Sequence, residues 1–248
     1  MHKIFQVGML SFLISVAASA TTVNFDFTTN GGTVGGSPNA FGDTRTYTSG
    51  IYSVKVSSFA LPSNLAGNFA AGQLNWYNTL GLATCNPDEG LNCGDPIHQV
   101  DNGGQFDFVL FNFYTSGIAT AFDPTTVRIN PYNTWDRDVT YWVGNNGVNL
   151  STLTLGTLGM GSRMDDDSTI STNFRDVLLG GGAGNSLLLA ARLSGNNADG
   201  DIDRFKIEKL VLETTSTTTV TPEPATFGLA GLALVGLGLL RRRRGSKI

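Results

Sequence analysis

Histidine is almost absent from this chain, which has two histidines among 248 residues. His2 lies at the extreme N-terminus, so His98 stands alone in the rest of the sequence. One histidine cannot build a histidine-rich zinc site or a Glu-x-x-His helix. The chain also lacks a Gly-x-Ser-x-Gly elbow, a Walker A sequence and a GxGxxG fingerprint. A glycosidase, which needs only two carboxylates, is not excluded by these absences.

Charge is also sparse. Charged residues make up 15% of the chain, whereas glycine is abundant, with 31 residues. Coiled coils and helical bundles are rich in Leu, Ala, Glu and Lys, so this composition argues against both. A nucleic-acid-binding protein usually carries surplus positive charge, but this chain has a formal net charge of −4. We therefore expect no nucleic-acid partner.

The N-terminus has the features of a signal peptide. Lys3 supplies a positive charge, residues 4–16 are apolar, and Ala18 and Ala20 form an A-x-A cleavage site. A buried first helix is the alternative, but it would not explain the Thr-rich strand pattern that follows at once. We predict a signal peptide over residues 1–20 and export by the Sec machinery.

A second apolar segment lies near the C-terminus. Pro222-Glu223-Pro224 precedes the uncharged residues 225–240, and four arginines follow, Arg241, Arg242, Arg243 and Arg244. As a helix, residues 225–240 would rise about 24 Å, slightly less than the hydrocarbon core of a bilayer. Arginines cross a bilayer only at high cost, so we expect this cluster to stay cytoplasmic. The chain between the two apolar segments is then predicted to lie outside the inner membrane.

A Pro-Glu-Pro motif, a short apolar helix and an arginine cluster, in that order, resemble the PEP-CTERM sorting signal. The resemblance covers residues 222–248 and implies processing by an exosortase, a membrane cysteine-type protease or transpeptidase of Gram-negative bacteria that also make exopolysaccharide. Cleavage would fall near residues 222–224 and would move the protein from an inner-membrane intermediate to the cell surface or the extracellular space. An ordinary single-pass anchor is the alternative, with residues 225–240 remaining in the membrane.

The region between the predicted end segments is acidic. Residues 21–221 hold 10 Lys and Arg against 19 Asp and Glu, a formal charge of −9. Acidic clusters with few lysines suit calcium-containing surroundings. Cys85 and Cys93 are the only cysteines, and export makes a disulfide between them the default. Two thiolates alone do not make a closed zinc site.

Short alternating runs of apolar and polar residues fill residues 21–213. Residues 105–113 are dense in phenylalanine and predict a central strand buried on both faces. A change of phase within residues 205–212 predicts a β-bulge near Glu208-Lys209. Gly144-Asn145-Asn146-Gly147 predicts a hairpin between strands at 139–143 and 148–155.

These patterns predict one all-β domain. We expect a single antiparallel β-sandwich or jelly-roll-like fold over residues 21–213. The Thr/Ser tract at residues 214–221 has one apolar residue and cannot bury a face, so it is predicted to be a linker.

Alternating carboxylates near residue 200 suggest a calcium ligand set. Asp199, Asp201 and Asp203 surround a glycine and offer hard oxygen donors on a bending loop. The entry into the last strand resembles that of carbohydrate-binding jelly rolls, in which calcium often bridges the first and last strands, so Asp26 is a candidate for the other side. A solvated Asn/Asp/Gly turn is the equal alternative.

Trp135 is a candidate glycan contact, because its neighbours are polar and a tryptophan ring can stack on a sugar. The stretch from Cys85 to Trp142 resembles the ectodomain of some exosortase-dependent surface proteins, which implies a surface location and no defined reaction. We therefore predict a non-enzymatic surface or matrix protein associated with extracellular polysaccharide and biofilm. The alternatives are a calcium-supported carbohydrate-binding adhesin and a secreted glycan-active enzyme.

Overall fold

The computed structural model describes residues 20–94, 98–131, 136–145, 149–167, 174–193, 202–215 and 231–233. The chain divides into two units, one of them Ala20–Thr215 and the other Met1–Ser19 together with Ser216–Ile248. The predicted signal peptide before Ala20, most of the linker, and the sorting segment apart from one helical turn lie outside the described residues. Among the described residues, no helix is long and apolar enough to cross a membrane.

Sixteen strands are described in the first unit, and they form two antiparallel sheets. The first sheet contains β1 (Thr22–Asp26), β6 (Gln73–Tyr77), β7 (Gly81–Cys85), β8 (Val100–Asp101), β11 (Phe122–Pro131), β14 (Arg175–Leu178) and β16 (Arg204–Thr214). The second contains β2 (Thr33–Gly35), β3 (Thr44–Ser49), β4 (Tyr52–Leu61), β5 (Ala70–Ala71), β9 (Phe106–Thr115), β10 (Ile118–Ala119), β12 (Val139–Gly144), β13 (Met164–Asp166) and β15 (Ser186–Ala191). The prediction of an all-β domain with antiparallel sheets is confirmed.

Strand β16 organises the first sheet. It pairs with β11 along one edge, and with β1, β7 and β8 at successive positions along the other. The path through this sheet is β14-β11-β16-β7-β6, and the path through the second sheet is β13-β12-β15-β9-β4-β3-β2. Strands distant in sequence are therefore neighbours, which brings together side chains that no local pattern would connect.

Side chains from both sheets form one hydrophobic core. Val127 and Ile207 of the first sheet belong to the same buried cluster as Val109, Phe111 and Phe113 of β9. The opposite face of β9 faces a second buried cluster, covered in part by side chains from short 3-10 turns at Leu150–Thr152 and Leu155–Thr157. Because both of its faces are covered, β9 needs an almost continuous apolar sequence, as predicted.

Two finer sequence predictions have opposite outcomes. The β-bulge is confirmed, because Arg128 lies opposite Lys209 while Ile129 lies opposite Ile207, so Glu208 is the extra residue. The hairpin from β12 to a strand at 148–155 is wrong. Strand β12 pairs instead with β13 and β15, and Leu150 is buried in the second cluster from a 3-10 turn.

The first unit begins and ends at one place. The backbone N–H of Thr214 donates to the carbonyl oxygen of Thr21 at 3.0 Å, and the N–H of Thr21 donates to the Thr214 hydroxyl at 2.9 Å. These contacts continue the ladder between β1 and β16. The residue after the predicted signal cleavage site is thus hydrogen-bonded to the end of the last strand.

We expect Gly81→Ala to lower the free energy of unfolding by more than about 3 kcal/mol, because it combines backbone strain with a steric clash. Gly81 has φ +90°, and a Cβ there would overlap the carbonyl oxygen of Ile207 in β16. Gly50→Ala is the matched control, since its φ is +63° but nothing lies within 4 Å of the added Cβ. It should cost about 1 kcal/mol. Equal losses in urea unfolding would contradict this account of the β7–β16 contact.

Candidate functional site

Buried polar side chains gather where β16 begins. Strand β8 pairs with Arg204 and Phe205 at this point, and Asp136 forms a β-bridge with Asp203. The Arg204 N–H donates to the Asp136 carbonyl oxygen at 2.9 Å, which fixes the bridge. Chain segments near residues 101, 137 and 203 thus meet at one end of the first sheet.

Three carboxylates form the centre of this region. Asp136, Asp138 and Asp203 each offer one carboxylate oxygen, and these oxygens all lie within 4.8 Å of one another. The three residues are 1%, 2% and 1% exposed. We call this group the aspartate triad. Three hard oxygen donors at this spacing are a ligand set that a calcium ion could occupy.

Hydrogen bonds hold the Asp203 carboxylate in place. Its Oδ1 accepts from the Asp138 backbone N–H at 2.9 Å, and its Oδ2 accepts from the Asn102 carboxamide at 2.7 Å. The Asn102 side chain returns the contact, because its Oδ1 accepts from the Asp203 N–H at 3.0 Å. Asn102 therefore positions Asp203 from both sides.

Burial and repulsion both act against a charged Asp203. Burial raises the pKa of Asp203 to about 8, and the neighbouring Asp138 and Asp136 add to the effect. The hydrogen bonds from Asp138 and Asn102 act in the opposite direction but are outweighed. Near neutral pH a proton on Asp203 or a bound cation would lower the negative charge of the triad, and the guanidinium groups of Arg137 and Arg175 already interact electrostatically with Asp136.

Two of the predicted calcium ligands, Asp203 and Asp26, lie within the described residues, and they are far apart along β16. Asp203 belongs to the triad, whereas Asp26 is exposed on β1 opposite Lys209, six residues further along β16, and its Oδ1 accepts from Thr28. The structure thus does not bring Asp26 to Asp203. Asp199, Asp201 and the predicted glycan contact Trp135 lie outside the described residues.

Asp136 and Asp138 were not among the predicted ligands. Their signal is the Asp-Arg-Asp alternation directly before β12, which by itself looks like a solvated turn. Arg137, between them, is 1% exposed, so this segment is an interior one. Only the bridge between Asp136 and Asp203 reveals that the two aspartates share a site with the last strand.

A second buried acidic group lies beside the triad. Asp107 of β9 has no exposed surface, and its carboxylate accepts from the Thr84 hydroxyl at 2.7 Å and the Asn86 carboxamide at 3.2 Å. Burial raises its pKa well above the usual range, and Asp101 and Glu89 add repulsion. The Arg204 Nε lies 3.4 Å from Asp101 Oδ2. Because its backbone N–H also donates to Asp136, Arg204 links the acidic group of Asp101 and Asp107 to the triad.

The predicted disulfide closes the loop above this second group. Cys85 and Cys93 are bonded, with their Cα atoms 5.8 Å apart. Within the loop, the Glu89 carboxylate accepts from the Asn86 N–H at 3.0 Å, and Glu89 is near enough to Asp107 to help raise the pKa of that residue by repulsion. The disulfide thus closes a loop whose two ends are eight residues apart in sequence.

We expect part of the pH dependence of stability to come from Glu89. Burial, with smaller repulsion from Asp101, raises its pKa from 4.5 to about 7. The folded state then holds this proton more tightly than the unfolded state, so the free energy of unfolding should fall as the pH rises from about 4.5 to about 7. Glu89→Gln should flatten this part of a urea-unfolding profile.

Glu213→Gln makes the same chemical change near the end of β16, away from the acidic groups described above. It should leave the slope between pH 4.5 and 7 as it is in the unaltered protein. If Glu89→Gln and Glu213→Gln give the same profile, Glu89 does not hold the extra proton.

Comparison with known proteins identifies the C-terminal region. Residues 220–244 match the family model of the PEP-CTERM protein-sorting motif, so the chain carries this motif. The match includes the predicted Pro222-Glu223-Pro224 and the four arginines. No curated protein and no solved structure matches the chain.

The motif carries a functional meaning of its own. It implies export, processing by exosortase, which is a membrane protease, and sorting to the cell surface. The matched residues make up about a tenth of the chain and lie outside the β-domain. The motif therefore indicates where the protein is sent, and it does not define an activity of the β-domain.

Proposed function

We propose that this chain is a non-enzymatic cell-surface or extracellular-matrix protein, sorted by exosortase and associated with extracellular polysaccharide in a biofilm. The match of residues 220–244 to the PEP-CTERM motif carries the proposal. Before processing, the chain is an intermediate held in the inner membrane through residues 225–240. Cleavage near Pro222-Glu223-Pro224 removes Arg241 to Arg244 and delivers the domain to the cell surface or the extracellular space.

The ends of the β-domain support two successive cleavages. Thr21 and Thr214 are hydrogen-bonded to each other, so cuts after Ala20 and near Pro222 both fall outside the ladder between β1 and β16. Neither cut removes a residue of the core. The domain can therefore keep its fold through both steps, which a sorted surface protein requires.

Burial of Asp107 and the aspartate triad argues against these four carboxylates as a catalytic pair. A glycosidase needs two carboxyl groups that reach both sides of a polymer bond. Asp107 and the aspartate triad are at most 2% exposed, so a polysaccharide does not reach them in this conformation. These groups are suited to holding chain segments together or to holding a cation.

Intact-mass measurement on the native protein tests the proposal. Protein from wild-type cells should lack residues 1–20 and all residues after the Pro-Glu-Pro motif. In a strain without exosortase, the mass should retain Arg241 to Ile248 and the protein should fractionate with the inner membrane. Glu223→Ala should reduce processing, whereas Thr218→Ala in the linker should not.

Either an unprocessed protein at the surface of wild-type cells, or equal processing with and without exosortase, would refute sorting by this route. The non-enzymatic role is measured separately. Release of reducing sugars from the organism's own polysaccharide by the purified protein would show a glycan-active enzyme instead.

Calcium support of a carbohydrate-binding adhesin is a second candidate function, and the aspartate triad favours it. The cation would neutralise Asp203 together with Asp136 and Asp138, and would so fix the β-bridge at the start of β16. Its contribution would be structural, because the triad is buried and the ion would join segments near residues 137 and 203. A rigid junction of this kind would support loops that contact a ligand at the same end.

We expect calcium to raise the melting temperature if it binds the triad. At a free calcium concentration about 100 times its Kd, the rise should be about 5–10 °C, and EDTA should reverse it. Asp136→Asn and Asp138→Asn should each remove the rise, whereas Asp123→Asn in β11, outside the triad, should keep it. An unchanged melting temperature with calcium and with EDTA would reject the site.

A further inference from the structure

A polar cleft lies between strand β1 of the first sheet and strand β3 of the second. Its volume is about 310 Å³, at the small end of the range for ligand pockets. It is remote in sequence from the aspartate triad and uses none of the triad's residues. The lining comes from β1, from the loop that follows it, and from β2 and β3, and it includes Asn24, Asp26, Gly32, Thr33, Tyr47 and Thr48.

Strand β1 presents a backbone edge beside this cleft. Thr21 accepts from Thr214, and the Phe27 N–H donates to Glu208, so the odd-numbered residues of β1 bond to β16. In an antiparallel ladder the intervening residues point their N–H and C=O groups to the other edge. Asn24 and Asp26 are those residues, and within the described chain no strand pairs with that edge. Backbone N–H donors and C=O acceptors of Asn24 and Asp26 thus alternate along the wall of the cleft that β1 forms.

The side chains of the cleft are polar and almost all uncharged. Asn24, Thr33 and Thr48 are exposed, and their side chains form no hydrogen bond within the described part of the protein. Asp26 is the one ionisable carboxylate in the lining, and its Oδ1 accepts from Thr28. No lysine or arginine is among the described lining residues, so the lining itself offers no positive charge to an anion.

A buried tyrosine, Tyr47, is the second feature of this cleft. Its side chain is 4% exposed and packs edge-on against Phe27, with ring centroids 4.8 Å apart. Its hydroxyl is buried and has no hydrogen-bond partner in the described structure. The Cζ that bears this hydroxyl is 3.0 Å from where a Cβ of Gly32 would stand, and Gly32 lines the cleft. The unsatisfied Tyr47 hydroxyl is therefore close to Gly32 in the wall of the cleft.

An unpaired buried hydroxyl is costly unless something satisfies it. A small displacement of Gly32, which carries no side chain, would open the Tyr47 hydroxyl to a group seated in the cleft. That group must offer both donors and acceptors and carry no negative charge. Sugar hydroxyls meet these conditions, since each one donates and accepts.

We propose that the cleft between β1 and β3 binds a short segment of neutral carbohydrate, with Tyr47, Asn24 and Thr48 as hydrogen-bonding contacts. The inference deepens the proposed association with extracellular polysaccharide and rests on it for the source of the ligand. An extended peptide pairing with β1 is the competing occupant. Peptide recognition at a strand edge gains its specificity from side-chain pockets, whereas this cleft offers mainly hydroxyl and carboxamide groups.

The test is a binding measurement on the detergent-solubilised full chain. The probes are an array of neutral tetrasaccharides of glucose, galactose, mannose and N-acetylglucosamine, tri-galacturonate as an acidic sugar, and the peptide TTSTTTVT. Calorimetric titration with the best tetrasaccharide should show saturable binding. The double substitution Asn24→Ala with Thr48→Ala should weaken it at least about tenfold, which corresponds to about 1.4 kcal/mol. Thr22→Ala, on β1 outside the cleft, should leave the Kd unchanged.

Tyr47→Phe keeps the shape of the core and separates binding from folding. Because the hydroxyl has no partner, this variant should melt at the same temperature as the unaltered protein or higher, yet bind the tetrasaccharide several-fold more weakly. A lowered melting temperature with unchanged Kd would show a purely structural hydroxyl and overturn its assignment as a contact. A melting curve of the Asn24→Ala, Thr48→Ala double variant shows whether that variant remains folded.

Three results would overturn the inference: no binding to any neutral tetrasaccharide, equal binding by the double variant, or binding of the peptide in preference to every sugar. The mass measurement on native protein distinguishes this failure from failure of the proposed function. A processed surface protein that binds no sugar refutes the cleft assignment alone. An unprocessed protein that binds the tetrasaccharide through Tyr47 refutes sorting and retains the cleft.

Discussion

Backbone pairing along strand β16 is the interaction on which the rest of the fold depends. One edge of this strand holds β11, while the other holds β8, β7 and β1 in turn. Its inward side chains, such as Ile207 and Leu210, enter the core between the sheets. The strand is close to the end of the β-domain in sequence, so the first sheet cannot be completed until nearly the whole domain has been made. Such long-range pairing is typical of slowly folding β-proteins.

The same strand explains why so many charges are buried at one end. The start of β16 carries Asp203 and Arg204, and its partners bring Asp101 and Asp136 to the same place. Removing charges from water is expensive, and attraction within a pair only partly offsets the cost. Arg204 lies beside Asp101, and Asn102 donates to Asp203, so the groups compensate one another as a network. Loss of one member would leave the others buried without their partners.

Local pattern predicted some of the strands but not the site. A dense run of phenylalanines predicted β9 and a change of phase predicted the bulge at Glu208, because both depend on residues adjacent in sequence. The motif at residues 220–244 was also recognisable, since its three parts follow one another directly. The hairpin after β12 failed because Leu150 has an apolar environment on the outer face of β9, and burial there does not require a strand.

The aspartate triad could not be predicted, because its members are brought together by a bridge between residues 67 positions apart. The cleft beside β1 has the same origin: its walls are strands of different sheets. Short-range periodicity states which side of a strand is buried. It does not state which strands of the two sheets become neighbours.

The adjacency of Thr21 and Thr214 has a mechanical consequence. Tension applied between these two ends would open the β1–β16 ladder one hydrogen bond at a time, as a zip opens, because both forces act at the same end of an antiparallel pair. Tension between Thr214 and a point on the far side of the domain would load many of the hydrogen bonds of β16 together in shear. The domain should therefore resist pulling best when it is tethered by one terminus and gripped through its body.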